Sequence, residues 1–223
     1  MGVSDVMDRE EDVPVRGARE RTRRLMLDTA TRMMQAGETP SVTGVAEAAG
    51  VSRATAYRCF PSQAALVNAV VDHGLGTILS WTSDSDDAEA RVADLLDKSM
   101  PRIQEFESTF KAALRLSLEQ WAERQAGHAV SEPEFKRGHR VELLQQAIAP
   151  LRGRLSRAQF SRLARALSLV YGVEVLIILQ DIWGLTAAET KAVAVWAGRA
   201  LVRSALSESK GEEQSVASRR KGR

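Results

Sequence analysis

Four residues in the first third of the chain have side chains suited to reading a nucleic acid: Arg53, Thr55, Tyr57 and Arg58. A guanidinium at Arg53 can donate two hydrogen bonds to O6 and N7 of a guanine, worth roughly 1–3 kcal/mol of discrimination. Ala54 beside it is small enough to pack on a thymine methyl. Thr55, Tyr57 and Arg58 suit phosphate oxygens, contacts that set register without reading sequence. The stretch around them, Ala46 to Pro61 (AEAAGVSRATAYRCFP), supplies the elements that would position them. Ala46, Ala48 and Ala49 give a smooth helix face for close packing. Gly50 tolerates the left-handed backbone of a helix end. Val51 is an apolar plug, and Ser52 can cap the following helix by accepting its free N–H groups. The pattern predicts a helix-turn-helix whose second helix enters the DNA major groove. An ordinary pair of antiparallel helices with a polar surface helix would share the local pattern.

The wider context favours DNA. A basic amphipathic helix precedes the stretch, and Phe60-Pro61-Ser62 stops its second helix and caps the next. Residues 19–81 resemble the DNA-binding domain of the TetR (tetracycline repressor) family. The resemblance rests on Met26-Leu27, Ala30, Gly37, Val45-Ala46, Ala49-Gly50-Val51-Ser52, Thr55, Tyr57, Phe60-Pro61-Ser62 and Leu66. It implies that Tyr57 lies at the DNA interface and that Thr43 touches a base or phosphate. Two positions depart from the family: Cys59 stands where many members have histidine, and Gln63 where many have a phosphate-binding lysine. Cys59 is either a buried inert thiol or a redox sensor.

Charge supports the same reading. Residues 1–12 hold Asp5, Asp8, Glu10, Glu11 and Asp12 against Arg9 alone. Residues 13–63 hold eight arginines, Arg19 and Arg23 among them, against Glu20, Asp28, Glu38 and Glu47. Such a basic surface draws a protein to phosphate and makes binding salt-dependent. The acidic head reads as a disordered arm over residues 1–18.

The whole chain has 223 residues, 44% of them apolar, enough for a small domain and a larger one. One cysteine excludes an internal disulfide and fits a reducing compartment. The acidic N-terminus lacks the pattern of a signal peptide. The longest apolar stretch, residues 167–179, contains Ser168 and Glu174 and is too short to span a bilayer. A soluble cytoplasmic protein without membrane contact is expected.

Without runs of strict alternation, the chain is expected to be all-α. Helices are expected over about 19–36, 42–49, 53–59, 62–81, 88–100 with a break or kink at Pro101, 105–124, 134–151, 156–183 and 186–206. The polar run Ser83–Asp87 predicts a domain boundary. An effector-binding and dimerisation domain would then span 82–206, followed by a disordered tail over 207–223. Thr186 and Glu189 form a capping-box pattern.

In the family the second domain usually binds a small molecule and forms the homodimer. The last two helices carry Val170, Val173, Ile177, Val193, Trp196, Ala197, Ala200 and Leu201, an apolar set that a four-helix packing of two copies would bury. Trp81, Phe110, Leu114, Leu118, Trp121 and Tyr171 are candidates to line an apolar pocket for a small effector. Glu174 is the odd acid in an apolar helix; it pairs with an arginine or meets a polar group of the ligand. His73, His128 and His139 lack metal-ligand spacing to Cys59, and no catalytic motif occurs. No metal, cofactor or enzymatic activity is expected. The resulting expectation is a ligand-responsive homodimeric repressor on a palindromic operator in double-stranded DNA. A constitutive DNA-binding protein without an effector is the rival.

Overall fold

The computed structural model describes residues 12–127, 133, 135 and 138–221. Their regular structure is helical throughout, in ten α-helices: α1 (Asp12–Gln35), α2 (Val42–Ala48), α3 (Arg53–Cys59), α4 (Gln63–Leu75), α5 (Ala88–Glu105), α6 (Glu107–Gln125), α7 (His139–Ala147), α8 (Arg157–Leu167), α9 (Val173–Leu176) and α10 (Ala187–Lys221). Short 3-10 turns follow α4, α7 and α8, and a π-helical segment, Ile177–Ile182, follows α9. The chain forms two compact units: residues 1–73 with 108–136, and residues 74–107 with 137–223. The polar run in the sequence suggests one boundary near residue 82; packing divides the chain at 73 and brings it back into the first unit at 108.

The first unit closes on a core of Met26, Ala30, Met34, Val45, Ala56, Phe60, Leu66 and Val67. Ala112, Ala113 and Leu116 of α6, with Phe135, complete it. α6 joins because its small apolar residues fall on one face, and Arg115 donates to the Gly37 carbonyl at 3.2 Å. α1 begins at Asp12, seven residues before the expected start, so residues 12–18 of the supposed arm are helical. Residues 1–11 lie outside the described residues.

In the second unit α10 lies along α5. α5 runs through Pro101 to Glu105 instead of breaking there. Arg91 has a buried side chain whose guanidinium donates to the carbonyls of Gln146 (2.9 Å) and Ala147 (3.1 Å) at the end of α7, and to those of Ser83 and Ser85. One cation thus satisfies the C-terminal carbonyls of a helix and pins the polar 83–87 run. The expected helix over 134–151 begins only at His139; residues 134, 136 and 137 lie outside the described residues, and Phe135 is buried without being helical.

The single helix expected over 156–183 is interrupted. α8 ends at Leu167, and Gly172 has φ +113 and ψ −176, a backbone region that only glycine enters freely. Around the break, Arg140 pairs with Glu174 at 2.6 Å and donates to the Ser168 carbonyl at 3.4 Å. A Cβ at Gly172 would stand 2.7 Å from the Arg140 guanidinium and 2.9 Å from the Glu174 carboxylate. Gly172→Ala is therefore expected to cost about 1–3 kcal/mol in backbone strain, lowering Tm by several degrees for a chain of this size. An unchanged melting curve would show that the break relaxes freely. The tail expected to be disordered from 207 is helical to Lys221, since no proline interrupts a run rich in Glu, Lys, Gln and Arg.

Candidate nucleic-acid interface

The turn between α2 and α3 is built by its own sequence. Val51 N–H donates to the Ala46 carbonyl at 2.9 Å and Gly50 N–H to that of Glu47 at 3.2 Å. This is a Schellman closure, and it requires the left-handed Gly50, φ +65. Ser52 is extended and opens α3: its Oγ accepts from Thr55 N–H at 3.3 Å and donates to Thr55 Oγ1 at 2.9 Å. Ser52 thus shapes the helix start while remaining exposed.

Only Ala56 of α3 is buried. Arg53, Ala54, Tyr57 and Arg58 are exposed and share one face at helical spacing. Arg58 lies back along the helix, its Nε donating to the Ala54 carbonyl at 3.1 Å and its terminal nitrogen to Thr55 Oγ1 at 3.4 Å. Thr55 is half-buried with its hydroxyl engaged in the cap. Thr43 is half-buried near the start of α2, beside the Ser41 cap of that helix. Gln63 donates to the Pro40 carbonyl at 3.1 Å, a tie between the starts of α4 and α2.

Arg19 and Arg23 have a structural part that local sequence does not reveal. Arg19 donates to the Arg58 carbonyl at 3.2 Å, closing the C-terminal end of α3. The Arg23 guanidinium stands 5.1 Å over the Phe60 ring. Both fix α3 on α1 while remaining exposed. The Arg19 hydrogen bond crosses 39 positions, and no local pattern signals it. Among the described residues no carboxylate pairs with Arg19, Arg21, Arg23, Arg24, Arg53 or Arg58. Arg19 and Arg23, four residues apart, share the side of α1 that meets the end of α3, so exposed arginines without a paired carboxylate flank the reading helix. Cys59 is half-buried against the core beneath it.

The second group of candidates is divided. Phe110, Leu114, Leu118 and Trp121 belong to the first unit, and Trp81, Tyr171 and Glu174 to the second. Leu118 and Trp121 are 57% and 55% exposed, because α6 turns its other face to the core; they do not line a cavity of that unit. The polar tips in the second unit are engaged internally. Trp81 N–H donates to Asp94 at 2.8 Å, Tyr171 O–H to Ser99 at 3.2 Å, and Glu174 holds Arg140. Burial pushes the Tyr171 phenol up, only partly opposed by the Ser99 hydrogen bond and the Arg140 charge. The Thr186–Glu189 capping box forms as expected, with Glu189 N–H donating to Thr186 Oγ1 at 3.3 Å and Thr186 N–H to the Glu189 carboxylate at 2.8 Å.

Of the expected dimer residues, Trp196 is 68% exposed and Val193 is also exposed. Val170, Ile177, Ala197, Ala200 and Leu201 are half-buried. Val173 is buried in its own unit, as are Val175 and Leu176 of the same helix, and offers almost no surface. Ile182 and Trp183, which are outside that expected set, are each 73% exposed at the end of the π-helical segment. The stretch from Val175 to Trp183, apolar but for Gln180 and Asp181, is their signal in the sequence.

Residues 27–70 match the bacterial regulatory proteins of the TetR family. The HTH-type transcriptional repressor LfrR of Mycolicibacterium smegmatis is 42% identical over 57 residues, a match covering 26% of this chain and 30% of that protein. A TetR-family transcriptional regulator from Streptomyces coelicolor shares the fold, with a TM-score of 0.58, 18% identity and coverage of 90% of this chain and 88% of that one. Matched residues, observed turn and exposed α3 coincide: residues 27–70 are similar to the DNA-binding part of TetR-family transcriptional regulators, and the chain spans 30% of the length of the curated relative it matches.

Proposed function

We propose that this regulator is a homodimeric repressor that binds a palindromic operator and releases it when a small, mostly apolar molecule binds the second unit. The likeness of residues 27–70 to that family supports a regulator acting in the cytoplasm rather than an enzyme. The observation that carries the dimer is the apolar surface of the second unit: Ile178, Ile182, Trp183, Val193 and Trp196 are all exposed. Several large exposed apolar side chains on one unit support an interaction surface there. A two-fold axis lets the same surface cover itself, and a dimer has two reading helices to offer to the two halves of a palindrome, whose centres lie about one DNA turn, roughly 34–36 Å, apart. The relative from Mycolicibacterium smegmatis is a repressor, which supports that sign of regulation.

The effector acts through its differential affinity for two states of the dimer. Thermal-shift screening of apolar cations, aromatic alcohols and organic phosphates tests the class. A productive compound raises Tm by mass action and dissolves the operator complex over the same concentration range. Release by organic phosphates alone would overturn the apolar assignment. An operator complex that no compound dissolves would favour the constitutive binder.

A further inference from the structure

We propose that the DNA-facing basic surface has a second occupant, the chain's own acidic segment before α1, which competes with duplex phosphate for the same arginines. The proposal rests on the DNA reading above and adds a regulator to that site. Its first support is charge. Asp5, Asp8, Glu10 and Glu11 stand among the eleven residues before α1, with Arg9 as the only basic residue there. Arg19, Arg21, Arg23 and Arg24 follow on α1, and Arg53 and Arg58 on α3; all six are exposed, and none has a carboxylate partner among the described residues.

Its second support is reach. Arg19 is seven residues past Asp12, about 10 Å along the helix at 1.5 Å per residue. Arg19 touches the carbonyl of Arg58, so the end of the reading helix lies beside it. Eleven residues extend to at most about 36–40 Å. A segment tethered at Asp12 can therefore fold back along α1 and place its carboxylates at the arginines of α3. Tethering holds it at an effective concentration on the order of millimolar, where weak ion pairs fill a site. Duplex DNA must displace those carboxylates, so each arginine that binds a phosphate releases fewer counterions.

The simpler alternative is that Glu10 and Glu11 only favour the start of α1 through its dipole. Asp5 and Asp8 lie four or more residues before that start and gain little from it. The test is duplex binding by the full chain across 50–300 mM salt, using a random-sequence 30-mer. The forms compared are the unaltered protein, D5N/D8N, E10Q/E11Q and the fourfold variant. The expected result is tighter binding by the fourfold variant, by about tenfold at the lowest salt. Its plot of log K against log salt should be steeper by up to about 0.9 for each additional phosphate neutralised, and D5N/D8N should supply a comparable share to E10Q/E11Q. Equal affinity and slope in all four forms overturns the proposal. So does an effect confined to E10Q/E11Q and accompanied by a lower Tm, which would assign the acids to the helix start. Failure of every form to bind any duplex would instead overturn the DNA reading itself.

Discussion

Replacing Ala200 with aspartate is expected to give monomers and to abolish operator binding in one step. Val193, Trp196, Ala197 and Ala200 recur at i, i+3, i+4 and i+7 on α10, with the two alanines half-buried and the two larger residues exposed. Small residues at such positions let a second helix approach closely. A two-fold interface would bury an aspartate from each copy without a partner, at several kcal/mol per ion. That is enough to raise the dimer dissociation constant at least a hundredfold. A monomer then holds one half-site, and the affinity that depends on joining two disappears. Light scattering at micromolar concentration and gel shift on the same sample read the two effects together. An Ala200→Asp protein that remains a dimer would remove this face of α10 from the interface. A monomeric unaltered protein would remove the proposal.

The parts of the site legible in the sequence are those fixed by local chemistry. Gly50 has to close α2 and Ser52 has to open α3, because few other residues satisfy those backbone groups. The same holds for Thr186 and Glu189. What stays hidden depends on packing between residues distant in sequence. Arg19 looks like a phosphate ligand, and only the packing of α1 on α3 shows it capping the reading helix. The position of α6 after Pro101 suggests a place in the effector domain. Its alanines join the core of the first unit instead, and Leu118 and Trp121 are left outside. The break at Gly172 is masked by continuous apolar periodicity on both sides; periodicity reports which face is buried, not whether the backbone is continuous. Glu174 is legible as an acid needing a partner, but not that the partner is Arg140, 34 residues away.

The two arginines of the reading helix are expected to fail differently when removed. Arg53 stands in the first turn of α3, exposed and without an intramolecular carboxylate partner among the described residues, so its guanidinium is available to a base edge. Arg53→Ala should weaken operator binding by roughly 1–3 kcal/mol per half-site, about five- to 150-fold, and relax the preference at one base pair in each half. Arg58 stands in the last turn, with its guanidinium folded onto Ala54 and Thr55. From there it serves phosphate or holds the helix. Arg58→Ala should lower affinity for every sequence alike and reduce the salt slope by about 1 for each phosphate it neutralises. Binding curves on an operator and on each of its single-base variants separate the two patterns. The discriminating quantity is the ratio of affinities between operator and variants, because helix loosening lowers all of them together. If Arg53→Ala leaves every ratio unchanged, Arg53 does not read a base, and sequence discrimination passes to Ala54, Thr43 or the shape of the duplex.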